Sequence, residues 1–142
     1  MLFAKIVLLI IGVANAEAAI EEMSQKLTFS EKCHVENIYH EARGEGWAGW
    51  ALVKATVENR VDDPSWPSTV CAVVHQPKQF SWTINPNEIT DIEVYTRISK
   101  FVKEGSHSNF KGATHYHAVS INPWWAKSYE YLGTTGAHKY YK

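Results

Sequence analysis

The sequence has no excess of charge of either sign. Its 142 residues include 14 Lys and Arg against 15 Asp and Glu, so the formal net charge is −1 at pH 7. Domains that bind DNA or RNA through the phosphates usually present a strongly basic surface. The composition therefore predicts that the protein has no nucleic-acid partner.

Long hydrophobic runs are missing after the N-terminus. No stretch beyond residue 16 approaches the ~18 consecutive apolar residues typical of a transmembrane helix. Residues 1–16 (MLFAKIVLLIIGVANA) combine a single Lys with a short apolar run and a final Ala-Asn-Ala, a pattern typical of a cleaved signal peptide. We expect cleavage after Ala16, with Ala18 and Ala19 as alternative sites. The protein would then be exported to the periplasm or the exterior and keep no stable membrane span; an uncleaved signal anchor and a buried N-terminal helix are the other interpretations.

Cysteine is scarce. Cys33 and Cys71 are the only two in the sequence, and neither belongs to a CxxC pair or has the spacing of a zinc site. In an oxidising compartment two cysteines are expected to form one disulfide. Two free thiols are the alternative.

Internal repeats and low-complexity tracts are absent, and 142 residues suit one domain. We expect residues 17–32 to form an N-terminal tail and the start of the first helix, and residues 33–142 to form the folded domain. The sequence contains no second apolar core that would require another domain.

Apolar residues recur at the spacing of a helix in three segments, which run from Ser30 to Gly44, from Trp47 to Val61 and from Thr90 to Gly105. Ser30 and Thr90 are the expected N-caps, Thr90 forming a capping box with Glu93. Residues 113–119 alternate as a strand does, and a final strand is expected before the C-terminus. The pattern predicts a compact, mostly helical domain with a little sheet.

The segment Tyr39–Gly46 (YHEARGEG) has the highest density of chemical groups. Glu41 and Glu45 are four residues apart, so on one continuous helix their carboxylates would share a face. A carboxyl at a helix edge that aromatic rings partly cover has a raised pKa, as a general acid requires. A solvated, charged helix end is the alternative interpretation.

Aromatic residues make up 13% of the chain. They alternate with polar groups in three clusters, which are QFSWT at 79–83, THYH at 114–117 and NPWW at 122–125. Rings interleaved with hydrogen-bonding groups suit a saccharide-binding groove, although core packing would explain any one cluster.

Four segments together resemble the SleB-type cell wall hydrolase family, which includes spore-cortex-lytic enzymes and their Gram-negative and phage relatives. The segments are IYHEARGEGWAGWALVKATVENRV at 38–61, SWPSTVCAVVHQPKQFSW at 65–82, GATHYHAVSINPWWAKS at 112–128 and GAHKYY at 136–141. The resemblance implies a lysozyme-like α+β domain with a small antiparallel sheet. It also implies cleavage of the bond between N-acetylmuramic acid and N-acetylglucosamine in peptidoglycan by a lytic transglycosylase. We expect the protein to be monomeric and to need no cofactor or metal.

The resemblance further implies roles for individual residues. Glu41 matches the first glutamate of the family's E-[AS]-R-G-E motif and would be the catalytic acid and base. Glu45 matches the second glutamate, for which a helper or structural role is expected. The expected substrate-binding residues are Glu45, Phe80, Ser81, His115, Tyr116 and Asn122.

Three other functions stay open on the sequence alone. A hydrolytic muramidase would use the same cleft with a second carboxylate. A metal-dependent peptidoglycan amidase or peptidase could draw ligands from the seven histidines, among them His115 and His117, although no HExxH motif is present. A glycan-binding wall protein without catalytic activity would need the same groove.

Overall fold

The computed structural model describes residues 2–105 and 110–142, with the backbone alone for residues 2–11 and 13. The helices are α1 (Leu2–Gln25), α2 (Phe29–Ala42), α3 (Gly46–Asp62), α4 (Val70–Val74) and α5 (Ile92–Lys103). The strands are β1 (His115–Ala118), β2 (Tyr131–Thr135) and β3 (His138–Tyr141). Short 3-10 turns cover Ser81–Thr83, Phe110–Gly112 and Trp124–Ser128.

The predicted signal peptide and its cleavage stay predictions, because most side chains of residues 1–16 lie outside the described part of the chain. Residues 17–25 continue α1, so the segment expected as a tail is helical up to Gln25. Ile20 and Met23 of this helix pack against the main core. Within the described residues, no helix has the length and apolar character needed to cross a membrane.

A capping box starts α2, the helix that carries Glu41. Thr28 Oγ1 accepts a hydrogen bond from the Glu31 N–H at 3.3 Å, and Glu31 Oε2 accepts one from the Thr28 N–H at 2.8 Å. The predicted N-cap, Ser30, was wrong, since the reciprocal pair that satisfies the first free N–H groups can form only from Thr28.

The third predicted helix, by contrast, begins one residue later than expected. Asp91, not Thr90, is the N-cap of α5, and its Oδ1 accepts from the Val94 N–H at 3.1 Å. The Tyr39 hydroxyl oxygen accepts hydrogen bonds from the backbone N–H groups of Thr90 and Asp91 at 3.3 and 3.0 Å. This long-range contact positions the start of α5 against α2, and it cannot be read from local sequence.

The main core lies between α2, α3 and α5. The predicted apolar stripe of α2 is buried there, and its members are Val35, Ile38, Tyr39 and Ala42. Trp50 of α3 is 1% exposed and donates its indole N–H to the Ala42 carbonyl at 2.9 Å. That bond positions the C-terminal end of α2, and therefore Glu41, against α3.

The strands form one antiparallel sheet in the order β1-β3-β2. Tyr116 lies opposite Tyr140, and Tyr131 opposite Tyr141. Asn59 and Arg60 of α3 donate to the carbonyls of Ala113 and Thr114 at 2.8 and 2.7 Å. These bonds hold the start of β1 beside the helices, which brings Tyr116 to the end of α2. The expected mostly helical α+β domain with a small antiparallel sheet is confirmed.

The predicted disulfide is confirmed. Cys33 of α2 and Cys71 of α4 are bonded, and both lie buried in a second apolar cluster with Val57, Val73, Val74 and Phe80. The bond ties α4 to α2 and so supports the loop that follows α4 and contains Phe80.

Candidate functional site

A cleft of about 760 Å³ lies where the end of α2, the loop after α4 and the sheet meet. Aromatic rings form much of its wall, together with a few polar and charged groups. Its lining includes Glu41, Arg60, Trp66, Lys78, Phe80, Ser81, His115, Tyr116, Tyr129 and His138. An aromatic wall with few hydrogen-bonding groups suits a ligand with apolar faces and polar edges, such as a saccharide.

Glu41 is the acidic residue that lines this cleft, and among the described lining residues no other carboxylate is present. Its Oε2 accepts a hydrogen bond from the Tyr116 hydroxyl at 2.9 Å. Burial raises the pKa of Glu41, and the nearby Glu45 charge acts in the same direction. The Tyr116 hydrogen bond, His138 and Arg60 favour the ionised form and offset part of the rise in pKa. A raised pKa favours the protonated form of the carboxyl, which is the form that a general acid needs.

Glu45 does not share a helix face with Glu41, and that prediction was wrong. The helix α2 ends at Ala42, the chain turns through Gly44 to Gly46, where φ is +69°, and Glu45 precedes α3. The Glu45 side chain contacts the turn between β2 and β3 and does not lie beside Glu41 on the face of α2.

The Glu45 carboxylate binds the start of β3. Its Oε1 accepts from the Ala137 N–H at 2.7 Å, and its Oε2 lies 3.0 Å from His138 Nδ1. A Cβ at Gly136, where φ is +54°, would approach Glu45 Oε1 to 2.5 Å, so glycine suits both the turn and this contact. Glu45 is not among the residues that line the cleft, and its contacts position His138, which does line it.

Tyr116 contacts both Glu41 and His138 in the cleft. Besides its bond to Glu41, its ring packs edge-on against His138 with the centroids 5.0 Å apart. Burial and the Glu41 charge raise the pKa of Tyr116 well above its usual value, so the hydroxyl stays protonated and remains a donor.

The other predicted substrate-binding residues are divided between the cleft and its surroundings. Phe80, Ser81 and His115 line the cleft together with Tyr116. Phe80 is 3% exposed, whereas Ser81, the first residue of the 3-10 turn that follows it, is exposed. Burial and the Arg60 charge lower the pKa of His115 to about 4, so its ring is neutral at pH 7. Asn122 is exposed and, in the part of the chain that is described, does not belong to the cleft wall.

Sequence reasoning missed several lining residues, notably Arg60, Trp66, Tyr129 and His138. One signal for Arg60 was present, since it falls on the buried face of α3 at helical spacing from Trp50, Val53 and Val57. A charged residue at such a position is rarely buried without a partner. Trp66 and His138 had no comparable signal, because they come from separate loops and strands.

Across residues 2–105 and 110–142, no three His, Cys, Asp or Glu side chains lie together in a way that could hold a metal ion. His115 and His117 differ in their surroundings. His117 Nε2 contacts the Tyr141 hydroxyl at 2.9 Å, whereas His115 packs on Tyr129 with the centroids 4.0 Å apart.

Comparisons with known proteins found a family model and several similar proteins. A family model described as Cell Wall Hydrolase matches residues 44–141. Spore cortex-lytic enzymes of Bacillus cereus and Bacillus subtilis are 32% and 28% identical over 75 and 67 residues, which is 49% and 47% of this chain. The chain covers only 29% and 20% of those two proteins, less than a third of their length.

Two solved structures have a similar fold. The catalytic domain of the germination-specific lytic transglycosylase SleB from Bacillus anthracis is 23% identical with a TM-score of 0.67, over 82% of this chain and 97% of that domain. The catalytic domain of Bacillus cereus SleB is 24% identical with a TM-score of 0.65, over 81% of this chain and 91% of that domain. The family match begins at residue 44 and does not include Glu41. A role of Glu41 is therefore supported by the geometry of the cleft.

Proposed function

Because the chain belongs to the Cell Wall Hydrolase family, we propose that it cleaves peptidoglycan glycan strands between N-acetylmuramic acid and N-acetylglucosamine, as a lytic transglycosylase. The observation that carries the proposal is the Glu41 carboxyl, half-buried in an aromatic cleft, with a raised pKa and a hydrogen bond from Tyr116. The substrate lies in the cell wall, so the enzyme acts outside the cytoplasm. The predicted signal peptide supports export.

One carboxyl is sufficient for this reaction. Protonated Glu41 donates its proton to the glycosidic oxygen, and the C1–O bond of muramic acid breaks through an oxocarbenium-like state. The Glu41 carboxylate then takes the proton of the muramic C6 hydroxyl, whose oxygen closes on C1. The products are a 1,6-anhydro end and a free C4 hydroxyl, Glu41 is protonated again, and no water is consumed. Such acid–base catalysis contributes about 10²–10⁴-fold to the rate.

The surrounding residues support each half of this cycle. The Tyr116 hydroxyl and the nearby positive charge of Arg60 stabilise the Glu41 carboxylate after it has given up its proton. The exposed part of the aromatic wall, with Trp124 and Tyr129, can hold sugar rings by their apolar faces. Ser81 and His115 supply polar groups for the sugar edges.

A hydrolytic muramidase is the second candidate, and one contact favours it. His138 lines the cleft, and its Nδ1 lies 3.0 Å from the Glu45 carboxylate; when Nδ1–H of a neutral ring donates to Glu45, the lone pair is on Nε2, the atom that would accept a proton from water. In that case water would attack C1 with His138 as the base.

Mass spectrometry of the products distinguishes these reactions. We expect the purified full chain to release muropeptides with 1,6-anhydro ends from peptidoglycan, one water lighter than hydrolysed fragments. Reducing ends would instead identify a hydrolase. Cut stem peptides, or activity lost on chelation, would contradict both glycan-cleaving proposals and favour an amidase or peptidase.

Replacing Tyr116 by Phe tests the hydrogen bond to Glu41. The Tyr116 hydroxyl stabilises the ionised carboxyl, so its removal raises the pKa of Glu41 further. Glu41 must be protonated to act as the acid, and the alkaline limb of kcat/KM against pH is therefore expected to move to higher pH, with kcat lower by about 3- to 10-fold. A limb that stays in place or moves to lower pH would contradict the assignment. Tyr131→Phe, which removes a strand hydroxyl outside the cleft wall, is the matched control.

Replacing Glu45 by Ala separates a structural role from substrate binding. The Ala137 N–H and the His138 ring would both lose their acceptor, so we expect the free energy of unfolding to fall by about 1–3 kcal/mol in urea titrations. Glu88→Ala, at an exposed loop position, is expected to leave it unchanged. A raised KM with unaltered stability would instead support the predicted contact of Glu45 with substrate.

A further inference from the structure

Arg60 is a buried cation whose guanidinium has an unused donor. The residue is 5% exposed, and its Nε donates to the Thr114 carbonyl at 2.7 Å. Its guanidinium carbon lies 4.2 Å from the centre of the Trp66 ring and 5.5 Å from that of Phe80. The Nη1 atom is buried and, within the described structure, has no hydrogen-bond partner.

A buried charge without a salt-bridge partner is costly, and an acceptor from outside the chain would remove part of that cost. Burial lowers the pKa of Arg60 to about 10, which still leaves the group positively charged at neutral pH. Of the described residues, none forms a salt bridge with Arg60 within 4.0 Å. Arg60 lines the cleft, so a ligand bound there is in a position to supply the missing acceptor.

The charge of the cleft indicates what kind of ligand this is. Arg60 and Lys78 line it as cations, and Glu41, the one carboxylate among the described lining residues, is neutral in its acid form. When Glu41 is protonated, the cleft therefore favours an anionic ligand. The hydroxyl and acetamide groups of a glycan are neutral, whereas the 3-O-lactyl group of muramic acid ends in a carboxylate, or in an amide carbonyl when a peptide is attached.

We propose that Arg60 binds the acyl oxygen of the 3-O-lactyl group and so makes the cleft selective for muramic acid over N-acetylglucosamine. The inference rests on the proposed function and names the substituent that the site recognises. Stacking on Trp66 and the bond to Thr114 hold the guanidinium plane, so that little side-chain entropy is lost when a ligand binds Arg60.

Binding to the full chain carrying Glu41→Gln, which prevents turnover, tests the proposal by calorimetry with three ligands. These are a peptide-free tetrasaccharide of alternating N-acetylglucosamine and N-acetylmuramic acid, the same tetrasaccharide with its lactyl carboxylates reduced to alcohols, and chitotetraose. We expect the first to bind about 10- to 100-fold more tightly than the other two, as suits a charge-assisted hydrogen bond to a buried group. Equal affinities for all three would overturn the proposal.

Adding Arg60→Gln is expected to bring the three affinities within about threefold of one another. Arg97→Gln removes a guanidinium that also lies over a tryptophan ring, that of Trp50 at 5.6 Å, but outside the cleft wall, and should preserve the preference. Lys78→Gln should weaken binding of the acidic ligand by less than Arg60→Gln does, since Lys78 is exposed. A folded Arg60→Gln protein that keeps the preference would contradict the assignment.

A measurement without a change at Arg60 covers the case in which Arg60→Gln does not fold. The Nε–H resonance of Arg60 in the Glu41→Gln protein should shift on adding the acidic tetrasaccharide and not on adding its reduced form, and no shift with either would overturn the proposal. The proposed function fails separately, when the wild-type chain releases no glycan fragments from peptidoglycan.

Discussion

Replacing Glu41 by Gln is expected to lower the rate of glycan-strand cleavage by about 10²–10⁴-fold while the protein stays folded. Glutamine keeps the size of the side chain and can still accept the Tyr116 hydrogen bond, but it has no proton to give to the glycosidic oxygen. Release of muropeptides from peptidoglycan measures the loss. Near-full activity in a folded Glu41→Gln protein would eliminate Glu41 as the acid.

Glu36→Gln is the matched control. Glu36 belongs to the same helix, its pKa is also raised by burial, and it is not among the residues that line the cleft. We expect this variant to keep wild-type activity. A comparable loss in both variants would mean that the effect comes from α2 as a whole.

The Glu41→Gln protein is also expected to be at least as stable as the wild type at pH 7. The folded state raises the pKa of Glu41 above its unfolded value, so the folded state binds the proton more tightly. At a pH below the unfolded pKa, the carboxyl is protonated in both states and its burial costs no stability. As the pH rises through the folded pKa, the free energy of unfolding falls. Thermal melting between pH 4 and pH 8 should show a smaller fall in stability for the variant than for the wild type.

Replacing both Cys33 and Cys71 by Ala has the largest expected effect on stability. The bond closes a loop with a sequence separation of 38, for which loop-closure entropy predicts a loss of about 3–4 kcal/mol on removal. The melting temperature should fall by about 10 °C for a domain of this size. The two cysteines also pack with Phe80, so the cleft loop is expected to loosen with the cluster.

Reduction provides the control for this experiment. A reductant should lower the melting temperature of the wild type towards that of the Cys33→Ala/Cys71→Ala protein and leave the double variant unchanged. A wild type that melts at the same temperature with and without reductant would contradict the expected contribution of the disulfide.

Local sequence predicted the helices well and the sheet less completely. The apolar stripe of α2 and the run of α3 are present because their periodicity requires a buried face. The pattern indicated a single final strand, whereas the structure has β2 and β3. Gly133 explains the omission, because its φ of +149° and the irregular pairing beside it interrupt the alternation of β2.

Local spacing was misleading where the chain turns. Glu41 and Glu45 are four positions apart, but α2 ends between them, and the Glu45 carboxylate instead binds the Ala137 N–H and the His138 ring. The role of Glu45 therefore depends on β3, which approaches from the other end of the chain.

The sequence by itself determined the helical segments, the available cysteine pair, and the position of a glutamate at the end of a helix that resembles a known motif. These follow from residue types and near-neighbour spacing. The tertiary structure alone decided that Glu41 has a raised pKa, that Tyr116 donates to it, and that Arg60 is buried with an unused donor. A pKa and a missing partner depend on burial and on distances between groups far apart in sequence, so they exist only once the helices and the sheet have packed together.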